Sequence, residues 1–94
     1  MVIGLLTLHL QLPGCSSLKE KRSRLRPLIA RMHREFNVSV AEVDGLDAWK
    51  DAILACALVS NDRGHTQRSL QKVVHWIEAS WPDVTVLEDE FELI

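Results

Sequence analysis

The order of hydrophobic periodicities along the chain restricts its fold more than any other feature of the sequence. Apolar residues recur at every second position in the first segment and at helical spacing in the second and fifth segments. The fourth segment, around Ile53 to Val59, is apolar at every position, and the third and sixth are short runs. Alternation indicates half-buried strands, and a 3.6-residue period indicates amphipathic helices. The predicted strands cover Val2 to Leu12, Asn37 to Val43, Trp49 to Ser60 and Val84 to Leu93; the helices follow Ser17 and Asn61 or Asp62. The sequence therefore predicts six elements in the order βαββαβ.

This order is that of the ferredoxin-like α+β sandwich. Right-handed crossovers would place both helices on one face of a four-stranded antiparallel sheet. A length of 94 residues predicts a single domain, residues 1–94. The stretch Ile53 to Val59 is apolar at every position, so we expect it in a central strand whose second side lies open. Because a large exposed apolar patch is unusual on a monomer, we predict a homodimer through this open face, with Cys56 and Leu58 in the interface.

The first helix begins with a recognisable cap. Ser17-Leu18-Lys19-Glu20 has the form of a capping box, in which Ser17 is the N-cap and Glu20 reaches back to the amide of Ser17. Pro27 falls inside the helix and removes the hydrogen bond to the carbonyl of Ser23. The apolar stripe continues on both sides of Pro27, so we predict one bent helix and not two separate ones.

Charge is distributed unevenly along the chain, although the formal net charge is only −2. Residues 1–34 contain seven Lys and Arg against one Glu, whereas residues 35–94 contain four Lys and Arg against twelve Asp and Glu. Such segregation predicts an interaction surface for an anionic partner. The alternative is that the two halves neutralise each other, within the fold or in a dimer through the basic helix and the acidic C-terminal segment.

The basic residues concentrate at the start of the first helix. Helix N-termini present free amides and a partial positive charge, so Lys19, Lys21 and Arg22 are electrostatically unfavourable there unless an anion binds. Arg26 extends the row along the helix. We predict that these four residues and Ser17 bind phosphates, with an RNA backbone as the leading candidate. One alternative is a protein–protein adaptor, in which the basic helix meets an acidic protein surface or the acidic C-terminal segment of a dimer mate. The other is a solvated helix face with no ligand.

Three segments of the chain carry a family resemblance. Ser17-Leu18-Lys19-Glu20-Lys21-Arg22, Phe36-Asn37-Val38-Ser39-Val40-Ala41-Glu42-Val43 and Val59-Ser60-Asn61-Asp62 occur in the order seen in the uncharacterised bacterial family called YlxP-like, which the whole chain resembles. The resemblance implies a ferredoxin-like fold and a cytoplasmic protein. Genes of that family often stand beside genes for translation initiation and ribosome maturation factors, which implies a ribosome- or RNA-linked role. The family has no established activity.

No catalytic arrangement emerges from the sequence. Cys15 precedes a helix N-terminus, but six positions on stands Lys21 and not the Arg of a phosphatase loop. The four His and two Cys show no metal-ligand spacing. We therefore expect no enzyme activity, no cofactor and no metal, and a small phosphate-using enzyme is the weakest of the alternatives.

Two further expectations concern location and contacts. The longest uncharged apolar run, Ala52 to Val59, has eight residues, where a membrane span needs about 20. Two widely spaced cysteines do not form a disulfide framework, which together with the family resemblance predicts a cytoplasmic protein. Trp76 lies about 110° from the centre of the apolar stripe on the second helix, so we predict a partly exposed interface residue.

Overall fold

The six predicted elements form in the predicted order. The computed structural model describes all 94 residues as β1 (Val2–Gln11), α1 (Leu18–Phe36), β2 (Ser39–Asp44), β3 (Asp51–Ser60), α2 (Arg63–Ser80) and β4 (Thr85–Leu93). The strands make one antiparallel sheet of order β2-β3-β1-β4, and apolar residues of both helices join a single core with it. The predicted ferredoxin-like fold is confirmed.

The two central strands put alternate residues under the helices. In β1 the even-numbered residues from Gly4 to Leu10 are buried, and they pair in register with even-numbered residues of β3. Leu6 lies opposite Cys56 and Leu8 opposite Leu54, and all four are at most 2% exposed. The odd-numbered residues of both strands face away from the helices and form the open side of the sheet.

Element boundaries depart from the sequence prediction by two residues at two places. Asn37 ends α1 in the left-handed region (φ 48°), so β2 starts at Ser39 and not at Asn37. A turn closed by the Ala48 amide and the Gly45 carbonyl (3.0 Å) delays β3 to Asp51. Helix α1 is continuous through Pro27, whose ring is exposed to solvent.

Gly4 allows β1 to approach α2 closely. An added Cβ at this position would overlap the methyl group of Thr66 and lie 2.9 Å from a Leu70 methyl carbon. Thr66 is itself fully buried, and its hydroxyl is hydrogen-bonded to Ser60 Oγ (2.6 Å) and to the Asp62 carbonyl (2.9 Å). The absence of a side chain at Gly4 therefore sets the spacing between sheet and helix.

We predict that Gly4→Ala lowers the free energy of unfolding by about 1–3 kcal/mol, the usual range for overpacking a core. The loss is expected to shrink in a Thr66→Ser background, since Ser lacks the methyl group that the new Cβ would meet. Urea denaturation of the four proteins in this double-mutant cycle measures both quantities. An equal loss of unfolding free energy on Gly4→Ala in the two backgrounds would show that Thr66 does not limit the distance between β1 and α2.

Candidate functional site

The first turn of α1 is capped by its own side chains. Ser17 Oγ accepts a hydrogen bond from the Glu20 amide (3.0 Å), and Glu20 Oε2 accepts one from the Ser16 amide (2.6 Å). The Ser16 amide holds the pKa of Glu20 below its ordinary value. Ser17 is the N-cap, as predicted, but Glu20 closes the cap through the Ser16 amide and not through the predicted Ser17 amide. The predicted role of Ser17 in anion binding stays a prediction.

Lys21 is buried and fully engaged, so the prediction that it binds an external anion is wrong. Its side chain is 2% exposed and its Nζ lies 2.7 Å from Glu42 Oε2. The same ammonium group donates to the carbonyls of Gly45 (2.7 Å) and Ala48 (2.8 Å). Lys21 therefore ties the first turn of α1 to the tip of the β2–β3 hairpin.

Three of the predicted cations remain available. Lys19, Arg22 and Arg26 are exposed, and none lies within ion-pair distance of a carboxylate. We call these three residues the basic flank. They line one shallow groove of about 580 Å³ on the outer side of α1, together with Ser23, Pro27 and Ala30.

The small residues of this groove were not recognised from the sequence. Ser23, Pro27 and Ala30 follow one another at spacings of four and three, which places them on one side of a helix. That spacing is the signal that could have identified the groove floor. Short side chains between long cations leave room for a ligand group against the helix backbone.

Other cations of α1 are bound within the fold. Arg24 pairs with Asp83 (Nε to Oδ2, 3.0 Å) and also donates to the carbonyls of Pro13 and Asp83. Arg31 pairs with Glu35 one turn later (3.3 Å). Of the seven Lys and Arg of α1, Lys21, Arg24 and Arg31 have carboxylate partners within the fold, whereas the basic flank and Arg34 have none.

Trp76 joins the two helices. It is partly exposed, as predicted, but its ring packs edge-on against Phe36 with centroids 5.5 Å apart and lies 5.9 Å from the ring of Trp81. The Arg31 guanidinium lies over the same ring at 5.9 Å from the centroid. These contacts within the chain account for Trp76, and nothing in the structure identifies it as an interface residue.

Cys56 and Leu58 do not lie on the open side of the sheet, so their predicted place in an interface there is wrong. Cys56 is 0% exposed and Leu58 packs against the core, because even-numbered residues of β3 face the helices. Burial raises the pKa of the Cys56 thiol to about 12. The residues of β3 that do face outward are Asp51, Ile53, Ala55, Ala57 and Val59.

Cys15 is also inaccessible. The side chain is 0% exposed, and its Sγ donates to the Ser17 carbonyl at 3.5 Å. A nucleophilic thiol would have to reach solvent, which this placement does not allow.

No three His, Cys, Asp or Glu side chains come together in a group suited to a metal ion. Neither helix has the length and apolar content needed to cross a membrane.

Comparison with known proteins identifies the family. Residues 3–90 match the model of the family described as "Protein of unknown function (DUF503)". The chain belongs to this family. The chain is similar to "Uncharacterized protein YlxP" of Bacillus subtilis (strain 168), with 38% identity over 68 residues that cover 72% of this chain and 73% of the relative.

Solved structures add a statement about the fold alone. The chain is similar to the de novo designed protein Foldit4, with a TM-score of 0.54, 11% identity, and coverage of 100% of this chain and 97% of the other. A lower similarity links it to SnoaB, a cofactor-independent oxygenase from Streptomyces nogalater (TM-score 0.48, 12% identity, coverage of 99% and 90%). Similarity at this level carries no argument about activity.

We predict that Lys21→Met lowers the free energy of unfolding by about 3 kcal/mol, because it leaves the largely buried Glu42 carboxylate without its counter-charge. Lys19→Met is the matched control, since Lys19 is exposed on the same helix and is expected to change stability by less than about 0.5 kcal/mol. Urea denaturation measures both. Similar values for the two variants would contradict the structural role of Lys21.

We predict that the cap of α2 makes stability depend on pH. Asp62 Oδ1 accepts a hydrogen bond from the His65 amide (3.0 Å), and this bond holds the pKa of Asp62 below its ordinary value of 3.8. A lowered folded-state pKa stabilises the fold above the ordinary value, and the stabilisation is lost as pH falls through the folded-state pKa. Asp62→Asn keeps a capping oxygen but removes the charge.

The gap in melting temperature between wild type and Asp62→Asn is therefore expected to narrow between pH 6 and pH 3. Thermal melts followed by circular dichroism measure this gap. The control is Glu78→Gln, which removes an exposed carboxylate of α2 that makes no hydrogen bond. A gap that stays constant with pH would refute the role of the Asp62 charge.

Proposed function

We propose that the protein is a non-catalytic binding module that holds the phosphate backbone of an RNA along the basic flank of α1. The observation that carries the proposal is the exposure of Lys19, Arg22 and Arg26 without carboxylate partners, in a chain of net charge −2 whose other α1 cations are largely paired. Cations that form no ion pair within the fold can bind an anion without breaking an internal contact.

The spacing of the basic flank suits a polyanion better than a single phosphate. Lys19 and Arg26 are seven residues apart, which corresponds to about 10 Å along a helix axis. Phosphates of a stacked strand follow one another at about 3.4 Å along its axis, so the basic flank spans about three of them. Contacts of this kind position a nucleic acid without reading its sequence.

A feature inside the groove favours RNA over DNA. Pro27 has no amide hydrogen, so the Ser23 carbonyl receives no helical hydrogen bond at the point where the groove is lined by Ser23 and Pro27. A free carbonyl can accept a hydrogen bond from a ribose 2′-hydroxyl, the group that distinguishes RNA from DNA. The gene neighbourhood that the family resemblance implies makes ribosomal RNA in the cytoplasm the first candidate.

Recognition of bases through the sheet is not part of this proposal. The outward-facing residues of β1 and β3 include no Phe, Tyr or Trp on which a base could stack. We therefore expect weak sequence preference and strong dependence on salt concentration.

A second candidate function is protein–protein binding through the same basic flank. The observation that favours it is a row of exposed carboxylates on β4, formed by Glu88, Glu90 and Glu92, which could attract the basic flank of another copy. Because the basic flank lies on the helix layer and the carboxylates lie on the helix-free layer, such a contact is head-to-tail and would build chains or rings of copies.

We predict that a 12-nucleotide poly(U) RNA binds with a dissociation constant of about 10⁻⁴ to 10⁻⁶ M near physiological salt. The logarithm of the affinity should fall with the logarithm of salt concentration at a slope of about −2, the value for three contacts on a single strand. Replacing Lys19, Arg22 and Arg26 by Gln should bring that slope close to zero. Fluorescence anisotropy of labelled RNA between 50 and 300 mM salt measures it.

The matched control replaces Arg63, Arg68 and Lys72 of α2 by Gln, which changes the net charge equally but leaves the basic flank intact. This variant should keep the salt slope of the wild type. An equal loss of the salt slope in both variants would show that the RNA responds to the overall electrostatic field of the protein. That result would overturn the assignment of the site to the basic flank. Tighter binding of a 12-residue poly-Glu peptide than of the RNA, or salt-sensitive self-association in light scattering, would favour the second candidate function.

A further inference from the structure

Two rows of side chains on the open side of the sheet lie between larger side chains. Cross-strand pairing forms rows that run from β2 to β4: Ala41, Ala55, Thr7 and Glu90 in one row, and Ser39, Ala57, Leu5 and Glu92 in the next. The β2 and β3 members of both rows are small. We call these two rows the trough, because larger side chains border it on both sides: Ile53 with His9, and Val59 with Ile3.

Four of the eight trough residues are apolar, namely Ala41, Ala55, Ala57 and Leu5, and the trough is acidic at its β4 end. Its β3 and β1 residues are only partly covered by their neighbours, and Val59 on its border is 62% exposed. At the β4 edge Glu90 and Glu92 are exposed, and Glu88 lies beside them opposite His9. None of the four strands contains a Lys or an Arg. The open side therefore offers apolar contact and negative charge with no positive charge of its own.

We infer that the trough docks a cationic amphipathic helix of a partner protein. In this arrangement the apolar stripe of the helix lies on Ala55 and Ala57, and its Lys or Arg side chains reach Glu90 and Glu92. Alternate residues of a strand are about 6.8 Å apart, so the two bordering rows lie about 20 Å apart and leave room for one helix of about 10–12 Å diameter. Four strands span about 14 Å, which nine or ten helical residues cover.

Charge distinguishes this occupant from a second copy of the chain. In a face-to-face dimer both copies would bring their glutamates toward one interface and neither would bring a strand Lys or Arg. Like charges gathered at one interface repel each other, whereas complementary charges select a partner. The homodimer predicted from the sequence thus stays a prediction that the charges of this face do not favour.

The experiment uses a synthetic peptide of about 14 residues, long enough to cross the sheet, with Ala and Leu on one helical face and Lys on both flanks of that face. Its charge-reversed counterpart carries Glu at the Lys positions. Amide chemical shifts of the ¹⁵N-labelled protein locate the contact, and fluorescence anisotropy gives the affinity. We expect shifts at Ala55, Ala57, Thr7 and Glu90 with little change along α1, and no binding of the charge-reversed peptide.

Two variants test the residues involved. Glu90→Gln with Glu92→Gln should weaken binding of the Lys peptide about tenfold, the effect of losing two exposed ion pairs. Ala55→Arg should abolish binding by filling the trough with a like charge. The matched control is Asp47→Asn with Glu78→Gln, which removes two exposed carboxylates outside the open side. Circular dichroism melts establish that each variant is folded.

Each remaining outcome overturns the inference. It fails if the charge-reversed peptide binds equally well, if the shifts map to α1, or if the control variant loses as much affinity as the glutamate variant. It fails equally if the chain alone sediments as a dimer that Ala55→Arg dissociates, because the occupant is then a second copy. The proposed RNA binding is unaffected by any of these results, since the basic flank lies on α1.

Discussion

The buried ammonium group of Lys21 fixes the N-terminal turn of α1, where the candidate site begins, to the rest of the fold. It lies inside the protein between the Glu42 carboxylate and the carbonyls of Gly45 and Ala48, and it joins α1 to the β2–β3 hairpin. A cation in this position is costly to bury and is retained only because all its partners are in place. Its neighbours Lys19 and Arg22, on the same turn of α1, are exposed.

The fold could be predicted from the sequence because most elements carry a periodicity, a cap or a turn signal of their own. Alternating leucines in β1, the capping box at Ser17 and the cap at Asp62 are local signals, and local signals survive in the folded chain. The right-handed crossover then leaves few arrangements open. Continuity of α1 through Pro27 followed from the same principle, since the apolar stripe continues beyond it.

The site could be predicted only in part, because its residues depend on contacts distant in sequence. Nothing near Lys21 indicates that Glu42 will reach it, so the sequence could not separate this cation from Lys19. The prediction of which β3 residues face away from the helices was wrong for a related reason. A strand that is apolar at every position gives no alternation, so only its pairing with β1 decides that Cys56 lies under the helices.

The two layers of the sandwich carry opposite charge, and this has a consequence for how the molecule approaches other molecules. The basic flank projects from the helix layer, whereas Glu88, Glu90 and Glu92 line the opposite, helix-free layer. The protein therefore has a dipole moment with a large component across its thickness. Near a polyanion that dipole exerts a torque before contact, turning the helices inward and leaving the sheet facing the solution.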